Sequence, residues 1–306
     1  MKRATPVETA TRAAIVVPAA DLATLVVTGG DRRTWLNGLI TCDLTPMKEG
    51  DATYGLFVTQ KGRVLADAIV LLDGARVLMA VPRSALADLR ASLEHYLIME
   101  DAELSEGEGF EVALIHGPRS GDVSAKMIAA GAHGAPLDRT GLGGAVVFTA
   151  KEDARRVQDA RDEALGVVDG LVGDDETWEA LRLLRRVPRF GVDFDAATYP
   201  QEAGLEKRAV SFSKGCYLGQ EVVCMLEMRG HVKRKLVTMR VEGGAPARGI
   251  EVKDAAGEVV GAITSAAVAS DADGVIAMAM VKRAKAETGA ELRVGEALAT
   301  VIDAAS

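Results

Sequence analysis

The chain contains 306 residues, enough for about two or three domains of ordinary size. Hydrophobic residues make up 48% and charged residues 26%, a balance that is typical of a soluble globular protein and excludes a disordered or fibrous one. Because 44 acidic residues outnumber 36 Lys and Arg, the formal net charge is -8. The chain therefore lacks an overall basic field, and we expect neither nucleic acid nor a membrane as a partner.

The cysteine count and the N-terminal stretch indicate the cellular compartment. Three cysteines, Cys42, Cys216 and Cys224, form neither a disulfide framework nor the paired spacing of a zinc site. The N-terminal stretch is interrupted by Pro18 and Asp21, so it has no continuous apolar core of a signal peptide or a membrane span. We therefore predict a cytoplasmic protein. No metal site is predicted, because the histidines lack metal-ligand spacing.

The first part of the chain is predicted to form an antiparallel sheet with a covering helix. A β-branched strand over 23–28 leads to Asp31, which we expect to cap a helix that holds Trp35. Leucines spaced by three or four residues between Leu86 and Leu97 predict an amphipathic helix. Between these helices lie three runs typical of strands, the last two joined by the hairpin signal Asp73-Gly74: 52–58, 63–72 and 77–81.

The second part begins after an acidic segment with two glycines near residues 101–109. The pattern then alternates strand, helix, strand, helix up to residue 165, which predicts a small layered α+β unit. Asp174 is expected to cap a helix that Pro188 ends, and mostly loop is predicted over 190–214. Short strands between glycine-containing turns predict a small closed barrel at the C-terminus: 236–241, 251–252, 259–267, 275–281 and 298–302.

One segment carries most of the functional information. The run Lys214-Gly215-Cys216-Tyr217-Leu218-Gly219-Gln220-Glu221 resembles the K-G-C-Y-x-G-Q-E signature of the YgfZ family. That family comprises folate-binding proteins linked to iron-sulfur cluster assembly, and it is related to the glycine-cleavage T-protein, an aminomethyltransferase. Further segments match the family pattern in order along nearly the whole chain: 35–44, 60–63, 181–183, 188–191, 199–202 and 229–234.

The resemblance implies an α+β fold of three domains arranged as a ring. Tetrahydrofolate or a derivative would lie in the central opening. The implied domains are a discontinuous folate-binding domain (1–105 and 170–230), an inserted ferredoxin-like α+β subdomain (106–169) and a C-terminal β-barrel (231–306). The resemblance also implies folate and iron-sulfur client or assembly proteins as partners.

Cys216 is the candidate functional thiol. A cysteine acts as a nucleophile or metal ligand in its thiolate form, which a nearby cation or a helix N-terminus favours. Lys214 and a helix beginning at Gln220 would supply these features. Without the resemblance, a lone cysteine is more often a small buried hydrophobe, whereas the resemblance favours a functional thiol.

The other two cysteines, Cys42 and Cys224, lie in apolar surroundings of the sequence. We predict that they are core or neutral surface residues. The alternative is a cluster site, because three cysteines can ligate iron and sulfur wherever the fold brings them together.

The candidate folate contacts are Arg182, Glu202, Lys214, Gln220, Glu221 and Arg229. Gln220 and Glu221 suit the paired donors of the pterin edge, and capping of the following helix is the alternative. By the resemblance, Arg182 suits the glutamate tail of folate; the alternative is a solvated helix arginine. Glu202 borders the folate opening in the family, unless it is an ordinary surface carboxylate.

Arg229 also begins the densest basic run of the chain. This run could attract polyglutamylated folate, RNA or a carboxylate-rich partner, and a solvated strand edge is the simpler alternative. Its other members are His231, Lys233, Arg234 and Lys235.

Whether the chain is an enzyme depends on one strand. Aligned with the T-protein, Ala66 occupies the position of the catalytic aspartate. Alanine can neither orient nor activate the folate nitrogen, so we do not expect an aminomethyltransferase. An alignment shifted by one residue would bring in Asp67 as a catalytic candidate, but on the opposite face of the strand.

Three functions stay open at this point. The first is a tetrahydrofolate-binding factor for the assembly or repair of iron-sulfur proteins. The second is a folate-dependent transferase that moves an aminomethyl or methyl group to an unknown acceptor with Asp67 or Cys216. The third is a folate-binding module without chemistry.

Overall fold

A computed structural model describes residues 5–230, 232–268 and 275–304. Its strands are β1 (Ile15–Pro18), β2 (Leu22–Thr28), β3 (Ala52–Val58), β4 (Val64–Asp73), β5 (Arg76–Pro82), β6 (Glu103–Glu106), β7 (Phe110–His116), β8 (His133–Pro136), β9 (Gly144–Ala150), β10 (Leu171–Val172), β11 (Arg234–Val241), β12 (Glu251–Lys253), β13 (Val259–Val268), β14 (Val275–Lys282), β15 (Glu291–Val294) and β16 (Ala297–Ala304).

The helices are α1 (Pro6–Arg12), α2 (Arg32–Asn37), α3 (Leu86–His95), α4 (Ser120–Ala129), α5 (Ala154–Val168), α6 (Asp175–Leu184), α7 (Glu206–Ala209) and α8 (Gln220–Arg229). In the part of the chain that the structure describes, no helix is long and apolar enough to cross a membrane. The chain divides into two compact units. The first comprises residues 1–57, 65–178 and 213–218, and the second comprises residues 58–64, 179–212 and 219–306.

The first sheet of the first unit has the strand order β3-β4-β5-β2-β6. The predicted hairpin at Asp73-Gly74 joins β4 to β5, and Gly74 adopts a φ of 60°. All residues of β5 after Arg76 are buried, as in a central strand that is covered on both faces. Leu89 and Leu93 are the buried side chains of α3, which confirms the predicted amphipathic pattern.

The second sheet of the first unit has the order β10-β1-β7-β9-β8. Without β1, the order and the sequence strand, helix, two strands, helix, strand are those of a ferredoxin-like fold. The added strand β1 pairs antiparallel with β7 and parallel with β10. A short strand from the N-terminal part of the chain therefore completes the sheet of the predicted insertion.

The second unit contains a closed barrel of the strands β11-β14-β13-β12-β15-β16. Alternate residues of β11, namely Val237, Met239 and Val241, are buried in the barrel core, and Leu236 is buried in a separate cluster. The predicted barrel is confirmed. Strand β15 was not predicted, because the charged residues Glu291 and Arg293 interrupt its apolar pattern.

Two predicted helix caps had different outcomes. Asp174 accepts a hydrogen bond from Thr177 N (2.9 Å), so its capping of α6 is confirmed. Asp31 precedes α2 but makes no capping bond, and its carboxylate accepts from Asp101 N (2.9 Å) instead. That predicted cap is wrong, because a distant loop supplies a competing donor. The division into three domains stays a prediction.

Candidate functional site

Lys214 is buried and anchors the signature segment within the first unit. Its Nζ donates hydrogen bonds to the carbonyl oxygens of Asn37 (2.6 Å), Ile40 (2.8 Å) and Cys42 (2.7 Å). Three acceptors match the three donors of an ammonium group. Burial lowers the pKa of Lys214 to about 8, while Cys42 and Asp43 act in the opposite direction. Two separate segments of the family pattern are thus held together by one side chain.

The backbone and the next aromatic residue continue this contact. Leu218 N donates to Gly38 O (3.0 Å), and the buried ring of Tyr217 lies 5.3 Å from Lys214 Nζ. Cys216, between these fixed neighbours, is exposed. The segment therefore presents a thiol to solvent from a backbone that is fixed on either side. The three donors of the Lys214 ammonium group are bonded to carbonyl oxygens and not to the Cys216 thiol. The activation of Cys216 by the charge of Lys214 stays a prediction.

The other two thiols have different surroundings. Cys42 is buried, and burial raises its pKa to about 12, so it stays protonated at neutral pH. Cys224 is partly buried, and burial together with Glu227 raises its pKa. In the part of the chain that the structure describes, no group of three or more His, Cys, Asp or Glu is placed to hold a metal ion.

In the second unit, the helix that follows the signature packs closely on the turn over 59–62. Gly219 precedes α8 with a φ of 77°, and a Cβ there would overlap the Thr59 carbonyl oxygen. Gly62 has a φ of 70°, and a Cβ there would lie 2.9 Å from Val222 Cβ. Both positions require glycine because the backbone is left-handed and the space is filled.

α8 carries three of the predicted folate contacts. Gln220 is half-buried at its first turn, whereas Glu221 and Arg229 are exposed. Glu221 and Arg229 are eight residues apart, or about 12 Å along the helix axis. Gly219 occupies the N-cap position without a side-chain capping bond, and Glu221 lies in the first turn, where the helix dipole favours a negative charge.

Glu202 is buried in the second unit, where arginine side chains compensate its charge. Its carboxylate accepts from Tyr199 N (3.0 Å) and from Arg234 Nε (3.3 Å), and Arg63 Nη1 lies 3.6 Å away. The Arg63 guanidinium also stacks over the Tyr199 ring at 3.8 Å from its centroid. The alternative of an ordinary surface carboxylate is therefore wrong. Arg63 was not predicted as a site residue, although it belongs to the segment 60–63 that matches the family pattern.

Arg182 is fully buried, so the alternative of a solvated helix arginine is wrong. Its guanidinium donates to Asp193 Oδ2 (2.6 Å) and Glu179 Oε2 (2.6 Å). Asp193 also accepts hydrogen bonds from the hydroxyl groups of Thr264 and Ser265 on β13. This environment favours a structural role for Arg182 over direct contact with a ligand. Sequence analysis had no signal for Asp193, whose importance comes from contacts over about 70 residues of chain.

Asp67 lies in a separate buried cluster of the first unit. Tyr54 Oη donates to Asp67 Oδ2 (2.9 Å), and Arg139 Nη2 lies 3.8 Å from the same oxygen. Burial raises the pKa of Asp67, although Arg139 and Tyr54 act in the opposite direction. Ala66 is fully buried, and it supplies no carboxylate at the position aligned with the catalytic aspartate.

The basic run after α8 divides into different environments. Arg229 and Lys233 are exposed, whereas Arg234 is paired with Glu202. His231 lies outside the described residues. The run is therefore not one uniform basic surface, since at least one of its charges is compensated within the fold.

Most of this chain matches two known family models. Residues 4–135 match the family model of the GCVT N-terminal domain, and residues 234–304 match that of the glycine cleavage T-protein C-terminal barrel domain. The tRNA-modifying protein YgfZ of Vibrio vulnificus (strain YJ016) is 26% identical over 244 residues, which cover 78% of this chain and 74% of that protein. An aminomethyltransferase of Halothermothrix orenii is 25% identical over 293 residues, or 88% of this chain and 80% of that protein.

A solved structure shares the fold. The crystal structure of the glycine cleavage system aminomethyltransferase T from Bartonella henselae matches with a TM-score of 0.82 at 19% identity, over 97% of this chain and 87% of that chain. The predicted α+β class with a C-terminal barrel is thereby confirmed. The chain belongs to the glycine-cleavage T-protein family, and YgfZ proteins are among its relatives.

Proposed function

We propose that this protein binds tetrahydrofolate and acts in the assembly or repair of iron-sulfur proteins, with Cys216 as its functional thiol. The observation that carries the proposal is the pairing of an exposed Cys216 with a buried Lys214 two residues earlier. Burying an ammonium group to fix a surface loop costs free energy. That cost is consistent with selection for the presentation of the thiol.

The proposed binding of folate is supported by membership of the glycine-cleavage T-protein family. Of the predicted contacts, Arg182, Glu202 and Lys214 are buried, and their charged atoms are bonded to the protein itself. Glu221 and Arg229 are exposed and free to meet a ligand on α8. The Glu221 carboxylate suits the paired donors of the pterin edge, and the Arg229 guanidinium suits the carboxylates of the glutamate tail. Bound folate would supply a one-carbon carrier, and the residues of this chain would orient it.

Anaerobic calorimetric titration with tetrahydrofolate tests the binding step. We expect saturable binding by the wild type and about tenfold weaker binding by Glu221→Gln, because a charge-assisted hydrogen bond is lost. Glu227→Gln is the matched control, since Glu227 is exposed on the same helix. Absence of binding to the wild type, or equal effects of the two variants, contradicts the folate site.

The thiol is tested separately in cells that lack the chromosomal copy of the gene. We expect Cys216→Ser to abolish restoration of iron-sulfur enzyme activity, while Cys224→Ser restores it. Full restoration by Cys216→Ser would favour a folate-binding module without chemistry.

The second candidate is a one-carbon transferase that acts on an unknown acceptor. It is favoured by the raised pKa of Asp67, since a buried carboxyl held by Tyr54 resembles an acid-base group. Turnover of methylene- or formyl-tetrahydrofolate with an acceptor amine separates the two candidates. The assembly role predicts no turnover, and turnover that Asp67→Asn abolishes would establish the transferase.

A further inference from the structure

A small polar cavity in the second unit has no part in the function proposed above. Its volume is about 80 Å³. Its polar lining residues are Arg186, Arg208, Thr238 and Asp303. Since a water molecule takes about 30 Å³ of liquid volume, the space suits roughly two or three waters or one group of phosphate or carboxylate size.

Arg186 reaches this cavity from a strained backbone position. It lies two residues after the last residue of α6, with a φ of 57°, and Val187 N donates to Arg182 O (2.7 Å) as in a Schellman motif. Glycine is the usual residue there, because a side chain in the left-handed region is strained. The Arg186 guanidinium lies 3.0 Å from Asp303 Oδ2, which orients it. Strain of this kind often marks a functional position.

Two further donors line the cavity, the exposed Arg208 and the buried Thr238. The Arg208 guanidinium makes no hydrogen bond or ion pair within residues 5–230, 232–268 and 275–304. Thr238 is only 5% exposed, and its hydroxyl group likewise bonds to none of these residues. A β-bulge between Thr238 and Met239 interrupts the pairing of β11 with β16 at this point. The Thr238 hydroxyl can therefore donate to a group in the cavity.

The charges of the cavity favour an anion. Two guanidinium groups and one carboxylate leave one net positive charge. Apolar side chains, including Leu236 and Met278, form part of the wall and reduce screening by water. Planar guanidinium groups are well matched to the oxygens of phosphate and carboxylate.

We propose that this cavity binds the terminal phosphate or carboxylate group of a small solute between Arg186 and Arg208, with the Thr238 hydroxyl as a third donor. The site is independent of the folate contacts on α8. Asp303 holds Arg186 in place and leaves Arg208 as the charge that the incoming anion neutralises.

Calorimetric titration of the whole chain with inorganic phosphate, and separately with L-glutamate, tests the site at constant ionic strength in chloride. We expect saturable binding at one site per chain. Arg208→Gln should weaken it by about 10- to 100-fold, because a charge-assisted hydrogen bond is lost. Lys207→Gln is the matched control, since it removes an exposed charge from the same helix without touching the cavity.

Arg186→Gly separates binding from folding. Glycine relieves the left-handed strain, so this variant should keep or raise the melting temperature while it loses anion affinity. Binding of phosphate alone identifies a phosphorylated solute, and comparable binding of glutamate identifies a carboxylate. Absence of saturable binding of either anion at millimolar concentration overturns the proposal. So does binding that both arginine variants retain.

Discussion

Each compact unit buries a basic residue of the family pattern, and the two residues are compensated differently. Lys214, in the first unit, donates to three neutral carbonyl oxygens. Arg182, in the second unit, is bonded to the carboxylates of Asp193 and Glu179. Carbonyl dipoles offset the loss of hydration only in part, so the pKa of Lys214 falls to about 8. Arginine keeps its charge in proteins, and here it faces full opposite charges.

His116 is a third buried basic residue, and its ring has no hydrogen-bond acceptor among the described residues. Both of its ring nitrogens are buried and make no hydrogen bond to the described residues. Its ring stacks on Trp178 with the centroids 4.9 Å apart. Burial, together with the charge of Arg139, lowers its pKa to about 4, although Asp138 acts in the opposite direction. The protonation of a buried base in this protein thus follows the acceptors that the fold provides.

The largest expected effect is the loss of the buried ion pair. Arg182→Met should destabilise the protein by about 3–5 kcal/mol, because it leaves Asp193 charged and buried. Arg182→Lys should lose less, since one ammonium group can reach one of the two carboxylates. Urea unfolding measures both variants. A loss below about 1 kcal/mol for Arg182→Met would contradict the structural role of this residue.

Lys214→Met should cost less, about 2–4 kcal/mol, because neutral carbonyl oxygens lose their donors and no charge is left unpaired. Lys207→Met is the control, since this exposed lysine on α7 should change stability by less than about 0.5 kcal/mol. The same urea measurement applies. Equal effects of the two lysine variants would refute the anchoring role of Lys214.

The pH dependence of the free energy of unfolding distinguishes Lys214 from Arg182. The folded pKa of Lys214, about 8, lies below its ordinary value of 10.5, so the unfolded chain binds more protons between these values. The free energy of unfolding of the wild type, relative to Lys214→Met, should therefore rise as the pH increases from 8 to 10.5. A difference that is flat with pH would show that Lys214 stays charged over this range.

His116 should produce an effect of the same sign at lower pH. Its folded pKa of about 4 lies below its ordinary 6.5, so stability falls as the pH drops through this window. His116→Phe keeps an aromatic ring against Trp178 and removes the titration. At pH 5 the wild type should have lost about 2 kcal/mol relative to this variant, compared with pH 7. Parallel pH profiles in urea unfolding would contradict this account.

The smallest expected effect on stability is at the exposed thiol. Cys216→Ser should change the free energy of unfolding by less than about 0.5 kcal/mol. Maleimide labelling of the native protein, followed by mass spectrometry, should modify Cys216 rapidly and Cys42 only after unfolding, because Cys42 is buried. Rapid modification of native Cys42 would show that the contact made by Lys214 opens readily.

Local patterns predicted most of the fold. The Asp73-Gly74 hairpin and the leucines of α3 depend on neighbours in the chain, and the structure has both. The short strand β1 was not predicted, although Ile15, Val16 and Val17 form a β-branched run. Its place between β7 and β10 is set by pairing with segments that are distant in the chain.

The sequence by itself determined the family and the segment that presents Cys216, because these are properties of a continuous run of residues. Only the tertiary structure decided what the charged residues of that pattern do. Lys214, Arg182 and Glu202 were expected to meet a ligand, yet each is bonded to partners of its own chain. The reason is that burial and hydrogen-bond partners are set by contacts between distant segments, such as the 174 residues that separate Ile40 from Lys214.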